Sequence, residues 1–377
     1  MYNPDVLDSI GDDVVTIYER AELYLIRIIR DALLRLGEEP AWAVSQVLAI
    51  RQERHKIQGL MTVLQRRSPA LWAGVVDEAY MRGVLQAETE LGELEQSGLF
   101  QAAPGSTVVK DAAVTALASE GVTTMHRVHA NILRRTEDAW RSIVKDAAGF
   151  TSTGAMTVQQ ATQRAFTRMA RDGMGFFVDD AGRKWGLDTY AHTVVRTATT
   201  RALLAGHTDT MLDRGIDLVV VSSHPRPAPV CAPYERKVLS LTGKFPRGTH
   251  RIGDSIVRVE ATLSDARAHG LGHPNCRHRW SAYIPGITST TPPEPDPGHE
   301  GYKATQKQRY LEREIRASKR MEEAALTEQA RMDARQRTRT YQAKLRDHIT
   351  EHNLPRYRHR EQLAKPGGIS ALGIGAN

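Results

Sequence analysis

The sequence predicts a mainly α-helical protein that has a long-helix N-terminal region, a small α+β module with a Cys/His motif, and a basic helical C-terminal arm. Three observations support this fold class. Apolar residues recur at helical spacing before residue 215, both cysteines and five of the fourteen histidines lie between residues 222 and 286, and positive charge accumulates after residue 300. The predicted organisation is a helical domain over 1–150, the α+β module over 151–290, a Pro-rich linker over 291–300, and the arm with a Gly-rich tail over 301–377.

Composition is that of a globular protein. Of the 377 residues, 41% are hydrophobic and 25% are charged, and no uncharged apolar run approaches the roughly 18 residues that a membrane span needs. The N-terminus carries acidic residues where a secretory signal would carry Lys or Arg. We therefore expect a cytoplasmic protein without a membrane partner, in which two cysteines form a reduced pair or a metal-ligand pair.

The first third of the chain predicts three helices. An amphipathic helix extends from Val6 to Leu36 and a second from Ala41 to Arg67. Ser68-Pro69 predicts that the second helix ends and a third helix begins, because proline suits the first turn of a helix. Gly83, in the third helix, predicts a close approach to another helix at a cost of about 1 kcal/mol relative to Ala.

The middle of the chain predicts helices that lead into the α+β module. One helix is expected from about Thr107 to Lys145, and Thr157 with Gln160 forms a capping box for the next, which ends at Gly173. Turn chemistry between apolar segments predicts a β-hairpin over 176–185. A helix from Asp188 or Thr189 to Arg214 then precedes a β-branched segment, 216–222, that predicts a buried strand.

The C-terminal region differs in composition from the rest. Four prolines within 292–297 predict an extended linker. From residue 301 to 365 there are 17 Lys or Arg against 9 Asp or Glu, a net charge of +8. Residues 302–352 are helix-prone but carry few apolar residues, which predicts one helix that stands in solvent or lies on a partner. The uncharged tail after Pro366 is either disordered or an apolar plug for a groove.

A cationic arm on a linker predicts salt-sensitive contact with double-stranded DNA that does not depend on base sequence. The alternative is a solvated helix that makes no DNA contact. The candidate DNA-binding residues are Arg309, Arg313, Arg316, Lys319, Arg320, Arg331, Arg335, Arg337, Arg339, Lys344 and Arg346.

The Cys/His segment allows three interpretations. Cys231, His273, Cys276 and His278 provide the nitrogen and sulfur ligands of a zinc site, with His224 as a spare, although the spacing is not that of a standard finger. The cysteines are otherwise small buried hydrophobes that need no cofactor. In the third interpretation His273, Asn275 and His278, with Asp254 or Glu235, hold a divalent metal for phosphodiester cleavage, or Cys231 pairs with a histidine as the nucleophile.

The order of motifs in this segment resembles the phage minor capsid protein 2 family, which is similar to the Mu F-like head-morphogenesis proteins. The helix 194–202 resembles the Arg-Thr helix of those proteins, and the specific likeness extends from 194 to 286. The positions that carry the family motif, read as structural, are Ser223, His224, Pro225, Cys231, Pro233, His273, Pro274, Asn275, Cys276, Arg277, His278, Tyr283, Pro285 and Gly286.

This resemblance implies a minor capsid or head-morphogenesis protein of a tailed phage, without catalytic residues. It implies a place in the head interior or at the portal vertex, with the portal protein and the major capsid protein as partners. It also implies a contribution to head assembly and to DNA packaging or ejection. Self-association through the long helices is a further expectation, and the alternative function is a metal-dependent nuclease or toxin-like enzyme.

Overall fold

The structure is a computed structural model that describes residues 10–35, 42–98, 100–105, 111–152, 154, 156–173, 177–178, 182, 184–291 and 298–363. The predicted linker prolines and the C-terminal tail lie outside these residues. Within them the helices are α1 Asp12–Arg35, α2 Trp42–Gln96, α3 Asp111–Ser152, α4 Val158–Asp172, α5 Leu187–Asp213, α6 Leu263–Ala268, α7 Glu300–Glu323 and α8 Glu328–Glu351. The strands are β1 Phe177–Val178, β2 Lys184–Trp185, β3 Leu218–Val221, β4 Val238–Ser240, β5 Gly248–Ile252, β6 Ser255–Thr262 and β7 Trp280–Ala282.

A five-stranded sheet forms the β part of the module. Its strand order is β5-β6-β4-β3-β7, and β4 pairs with β6 in parallel while the other pairs are antiparallel. The all-apolar strand β3 lies between β4 and β7 and is buried along its whole length, as its β-branched sequence predicts. The mainly α-helical fold class with a small α+β module is confirmed.

The first predicted helix is confirmed, whereas the second and third predicted helices form one continuous helix, α2. In α1 the residues that recur at three- and four-residue steps, such as Val14, Leu25 and Ile29, are fully buried.

The predicted break at Ser68-Pro69 is wrong, because α2 continues through Pro69. Interior proline costs about 3 kcal/mol. Buried apolar side chains on both sides of it, including Leu64 and Trp72, supply enough packing to keep the helix continuous.

The predicted capping box and hairpin are confirmed. The Thr157 side chain accepts a hydrogen bond from the Gln160 backbone N–H, and the Gln160 side chain accepts one from the Thr157 backbone N–H. Gly173, with a φ of 75°, ends α4 in a conformation that favours glycine. Strands β1 and β2 pair antiparallel, while most of the turn between them lies outside the described residues.

The C-terminal region is helical, as predicted, but it is not one helix standing in solvent. It forms α7 and α8, separated at residues 324–327, with Thr327 as the N-cap of α8. Leu311, Ile315 and Leu345 are buried together and form an apolar cluster between the two helices. These few apolar residues are enough to pack the two helices together, because the helices contact each other over one short apolar cluster.

The chain divides into two compact units built from separate segments. One contains Met1–Asp12, Ala70–Gly121 and Thr193–Thr305, and it holds the five-stranded sheet. The other contains Asp13–Pro69, Val122–His192 and Gln306–Asn377, and it holds the α7–α8 cluster. The predicted domain limits near residues 150 and 290 stay predictions.

Across the described residues, every helix is too short or too polar to cross a bilayer.

Candidate Cys/His site

Two tight turns of the sheet-bearing unit position the cysteines. Cys231 directly precedes the 3-10 helix Ala232–Tyr234, and its N–H donates to the carbonyl of Ala228 at 2.9 Å. The second turn spans His273 to Cys276, and it is closed by a bond of 2.8 Å from the Cys276 N–H to the His273 carbonyl. Asn275 has a φ of 65°, a left-handed conformation that asparagine tolerates better than most residues. Both sulfurs are thereby held by rigid backbone.

The two cysteines are buried and reduced, and their Sγ atoms lie 3.7 Å apart. The Sγ atoms of Cys231 and Cys276 and a ring nitrogen of His273 all lie within 4.8 Å of one another. His278 Nδ1 lies 3.5 Å from Cys276 Sγ. The structure thus brings together three of the residues that the sequence predicted as zinc ligands and places the fourth, His278, beside Cys276.

Glu235 orients His278 from the opposite side of its ring. His278 Nε2 lies 2.8 Å from Glu235 Oε1, and both side chains are less than 5% exposed. The same carboxylate oxygen accepts a hydrogen bond of 2.6 Å from the backbone N–H of His224. A carboxylate accepts hydrogen bonds, so Nε2 is the donor to Glu235, and Nδ1 faces Cys276.

Burial and hydrogen bonding shift the pKa values of the two cysteines in opposite directions. The hydrogen bond from Cys231 lowers the pKa of Cys276 to about 4, with help from His278, against the opposing effect of burial. The same hydrogen bond and burial raise the pKa of Cys231, so Cys231 retains its proton. Burial lowers the pKa of His278, but hydrogen bonds with Cys276 and Glu235 outweigh it and the net pKa is raised. Cys276 is therefore the thiolate of the pair.

His224 lies beside the cluster but is a neutral neighbour. Its ring centroid is 6.2 Å from that of His278. Burial, followed by the charges of Arg277 and His278, lowers the pKa of His224 to about 4. His224 Nδ1 accepts a hydrogen bond of 3.1 Å from the Arg226 N–H, so this nitrogen shapes the loop.

The remaining motif residues, and Ser222 beside them, lie in the loops and strand ends around the cluster. The Ser222 hydroxyl accepts a hydrogen bond of 3.0 Å from the Arg279 N–H, which joins the two ends of the segment. Gly286 has a φ of 81°, and Tyr283 packs against the cluster around Val257. The other motif positions are half-buried or exposed: Ser223, Pro225, Pro233, Pro274 and Pro285.

The Arg-Thr helix contacts the second turn directly. Arg196 of α5 donates a hydrogen bond of 3.3 Å from Nη1 to the Asn275 side-chain oxygen. Trp280, which follows the turn, donates 3.0 Å from Nε1 to the Thr208 hydroxyl, also on α5. The two parts of the sequence motif, about 80 residues apart, therefore form one structural feature.

The burial of the cluster limits its chemistry. Cys231 is fully buried, and Glu235 and His278 are nearly so, so a polymeric substrate does not reach these atoms. Of the two acids that the nuclease interpretation offered, Glu235 bonds to His278, whereas Asp254 lies on the exposed turn between β5 and β6. The arrangement is suited to holding loops together, through a metal ion or by packing alone.

Two of the candidate DNA-binding residues, Arg320 and Arg316, bond to groups inside their own unit. Arg320 is buried and bonds to the carbonyl of Ala170 at 3.0 Å and to the carboxylate of Asp188 at 3.4 Å. Arg316 lies 3.5 Å from Asp188 and donates to the carbonyl of Arg360 at 2.6 Å. Buried acids, which sequence patterns do not reveal, draw both side chains inward.

The other candidates retain different degrees of exposure. Arg337 pairs with Glu314 at 2.8 Å and lies over the Tyr341 ring, and Lys319 donates to Gln362 at 2.6 Å. Arg309 is half-buried. The exposed or half-exposed candidates are Arg313, Arg331, Arg335, Arg339, Lys344 and Arg346.

A charged cluster in the other unit escaped the sequence analysis. Glu22 and Asp188 are both buried, and Glu22 Oε2 accepts a hydrogen bond of 2.9 Å from the Asp188 N–H at the start of α5. The signal in the sequence was an acidic residue, Glu22, on the mainly apolar side of α1, which also buries Glu19. Its partner is 166 residues away, beyond the reach of local patterns.

Comparison with known proteins places these features in a family. The chain is 27% identical over 226 residues to a protein of Lactococcus phage LL-H described as a structural protein; the match covers 57% of this chain and 58% of that protein. The chain thus spans less than two thirds of this relative. No solved structure matches it.

The sequence profile of phage minor capsid protein 2 matches residues 2–350. The match extends well beyond residue 286, where the specific likeness was expected to end, and reaches almost to the end of α8. Helices α7 and α8 are thus included in the matched region. The chain belongs to the phage minor capsid protein 2 family.

Proposed function

We propose that the protein is a minor structural component of a tailed-phage head that associates with the portal vertex and contributes to head assembly and to DNA packaging or ejection. The observation that carries this proposal is the family match over residues 2–350. The relative described as a structural protein supports it. The portal protein and the major capsid protein are the proposed partners, and the long helices are surfaces for self-association.

We also propose that the protein is not an enzyme. The side chains of Cys231, Cys276, His278 and Glu235, which a hydrolytic mechanism would use, are buried and bonded to one another. A general base must reach the proton that it removes, directly or through one water molecule. These groups instead support the loops that surround β3.

A stripe of arginines on α8 is the proposed DNA contact. Arg331, Arg335, Arg339 and Arg346 are spaced by 4, 4 and 7 residues, so they share one face of the helix. The stripe is about 22 Å long at 1.5 Å per residue. Arg331 and Arg335 pair with Glu328 and Glu322, but such exposed pairs are worth little and exchange readily for phosphate.

The test is the salt dependence of binding to a random-sequence DNA duplex. Replacing Arg335, Arg339 and Arg346 by Gln should lower the affinity and reduce the slope of log K against log salt by about 2 to 3, because each lost phosphate contact removes about 0.9. The matched control replaces Lys237, Arg251 and Arg258, which are three exposed cations of the sheet-bearing unit. Equal losses in both variants, or no binding by the wild type, would count against an α8 interface.

A further inference from the structure

We propose that Cys231, His273, Cys276 and His278 bind one structural Zn²⁺ ion in a tetrahedral site. The ion would join the loop before the 3-10 helix Ala232–Tyr234 to the turn between α6 and β7. This inference does not depend on the proposed role in the phage head.

Two of the six distances between the ligand atoms already match the edges of a tetrahedron. With Zn–S bonds of about 2.3 Å and Zn–N bonds of about 2.0 to 2.1 Å, the edges of a tetrahedral site are about 3.8 Å between two sulfurs and about 3.5 to 3.6 Å between sulfur and nitrogen. The two Sγ atoms lie 3.7 Å apart, and Cys276 Sγ lies 3.5 Å from His278 Nδ1. His273 places a nitrogen within 4.8 Å of both sulfurs, close enough to complete the set with a small side-chain adjustment.

Both histidines have one nitrogen engaged and the other available. His273 Nδ1 lies 2.8 Å from the carbonyl oxygen of Pro274. A carbonyl only accepts, so Nδ1 carries the proton and the lone pair is on Nε2. His278 makes the corresponding bond from Nε2 to Glu235, so that in the neutral imidazole the lone pair is on Nδ1, the nitrogen that faces Cys276. Metal-binding histidines characteristically donate their second N–H to a carboxylate or a carbonyl in this way.

The backbone holds the ligand loops in place without a metal. The His273 N–H donates to Gly270 at 3.2 Å, and Gly270 and Gly272 have φ values of 105° and 77°. A Cβ at Gly270 would lie 3.1 Å from Val230 Cβ, so this glycine lets the two loops approach each other. Because the loops are already ordered, zinc binding loses less conformational entropy than it would in a flexible segment.

The first experiment measures zinc in the full chain, purified under reducing conditions, by elemental analysis. The expected result is one zinc per chain, lost in Cys276→Ser and retained in His269→Ala. His269 is the matched control, because it is a histidine of the same loop whose Nδ1 bonds to the Asp265 carbonyl of its own helix. Replacing zinc by Co²⁺ should give the intense visible bands of a tetrahedral site with thiolate ligands.

A second measurement keeps the proposal testable if Cys276→Ser fails to fold. In wild type stripped by a chelator, added Zn²⁺ should raise the melting temperature, and Mg²⁺ should not. Glu235→Gln, which keeps an acceptor for His278 but removes the charge, should weaken zinc binding about 10- to 100-fold.

Two outcomes would overturn the proposal. In the first, the reduced protein contains no zinc and its melting temperature does not respond to Zn²⁺, which would leave the cysteines as packed hydrophobes. In the second, the isolated protein is two mass units lighter because Cys231 and Cys276 have formed a disulfide by loss of two hydrogens to an oxidant, and after reduction it binds no zinc.

Discussion

Arg320 and Asp188 are 132 residues apart in sequence, and their side chains meet in a buried ion pair of 3.4 Å. Arg320 also bonds to the carbonyls of Ala170 and Arg171 at the end of α4. Three separate chain segments of one unit therefore converge on one guanidinium group. This explains why α7, which has a polar and basic sequence, is part of a folded unit.

Replacing Arg320 with Met should destabilise the protein by about 3 to 5 kcal/mol, because it leaves the Asp188 carboxylate buried with less compensation. The control is Arg331→Met, which removes an exposed pair with Glu328 and should cost less than about 1 kcal/mol. Chemical unfolding of the two variants gives the comparison. Equal, small losses would show that the buried pair does not hold α7 in place.

Glu22 makes the free energy of unfolding decrease as the pH rises into the alkaline range. Burial and the nearby Asp188 carboxylate raise the pKa of Glu22 from its usual 4.5 to about 8, whereas the charges of Arg320 and Arg316 lower the pKa of Asp188 despite its burial. The two carboxylates therefore share one proton, which the folded chain binds more tightly than the unfolded chain. The stabilising contribution of protonated Glu22 is complete below about pH 4.5 and is lost as the pH rises through about 8.

We expect the free energy of unfolding to fall between pH 6 and pH 9 by an amount on the order of a few kcal/mol. Glu22→Gln mimics the protonated carboxyl group and should flatten this dependence. Glu78→Gln, at an exposed helical pair with Arg82, should leave it unchanged. Denaturant titrations across this range measure the effect, and a steep fall that persists in Glu22→Gln would assign the titration to other groups.

Gly83 should not tolerate a side chain. A Cβ at this position would lie 2.0 Å from the carbonyl oxygen of Leu203, and one at Gly206 would lie 2.2 Å from that of Tyr80. Gly83→Ala should destabilise the sheet-bearing unit by about 1 to 3 kcal/mol through overpacking. Gly74→Ala, in the same helix with open space around it, should stabilise by about 0.5 to 1 kcal/mol. Thermal unfolding of both variants checks the contrast, and two variants of equal stability would contradict the close crossing of α2 and α5.

Local rules predicted the features that local chemistry determines. The Thr157 capping box, the stop at Gly173, the strand around Val219 and the close approach at Gly83 all follow from the residue types at those positions. The helix break at Pro69 was wrongly predicted, because tertiary packing outweighed the cost of an interior proline.

Features that depend on distant partners were not predictable in this way. The short strands β4 and β7 pair with β3 from positions about 20 and 60 residues away. The four ligand candidates were identified from their residue types, but the role of Glu235 in orienting His278 required the fold. The inward turn of Arg320 likewise depends on Asp188, which no charge count reveals.

The central claim is that this chain is a structural part of a phage particle. An asymmetric reconstruction of the phage head, combined with mass spectrometry of purified particles, tests it most directly. We predict a few copies of the chain at the portal vertex, with α8 facing the packaged DNA. Particles that are complete and infectious without the chain, or density for it on the outer capsid surface away from the portal, would contradict the account.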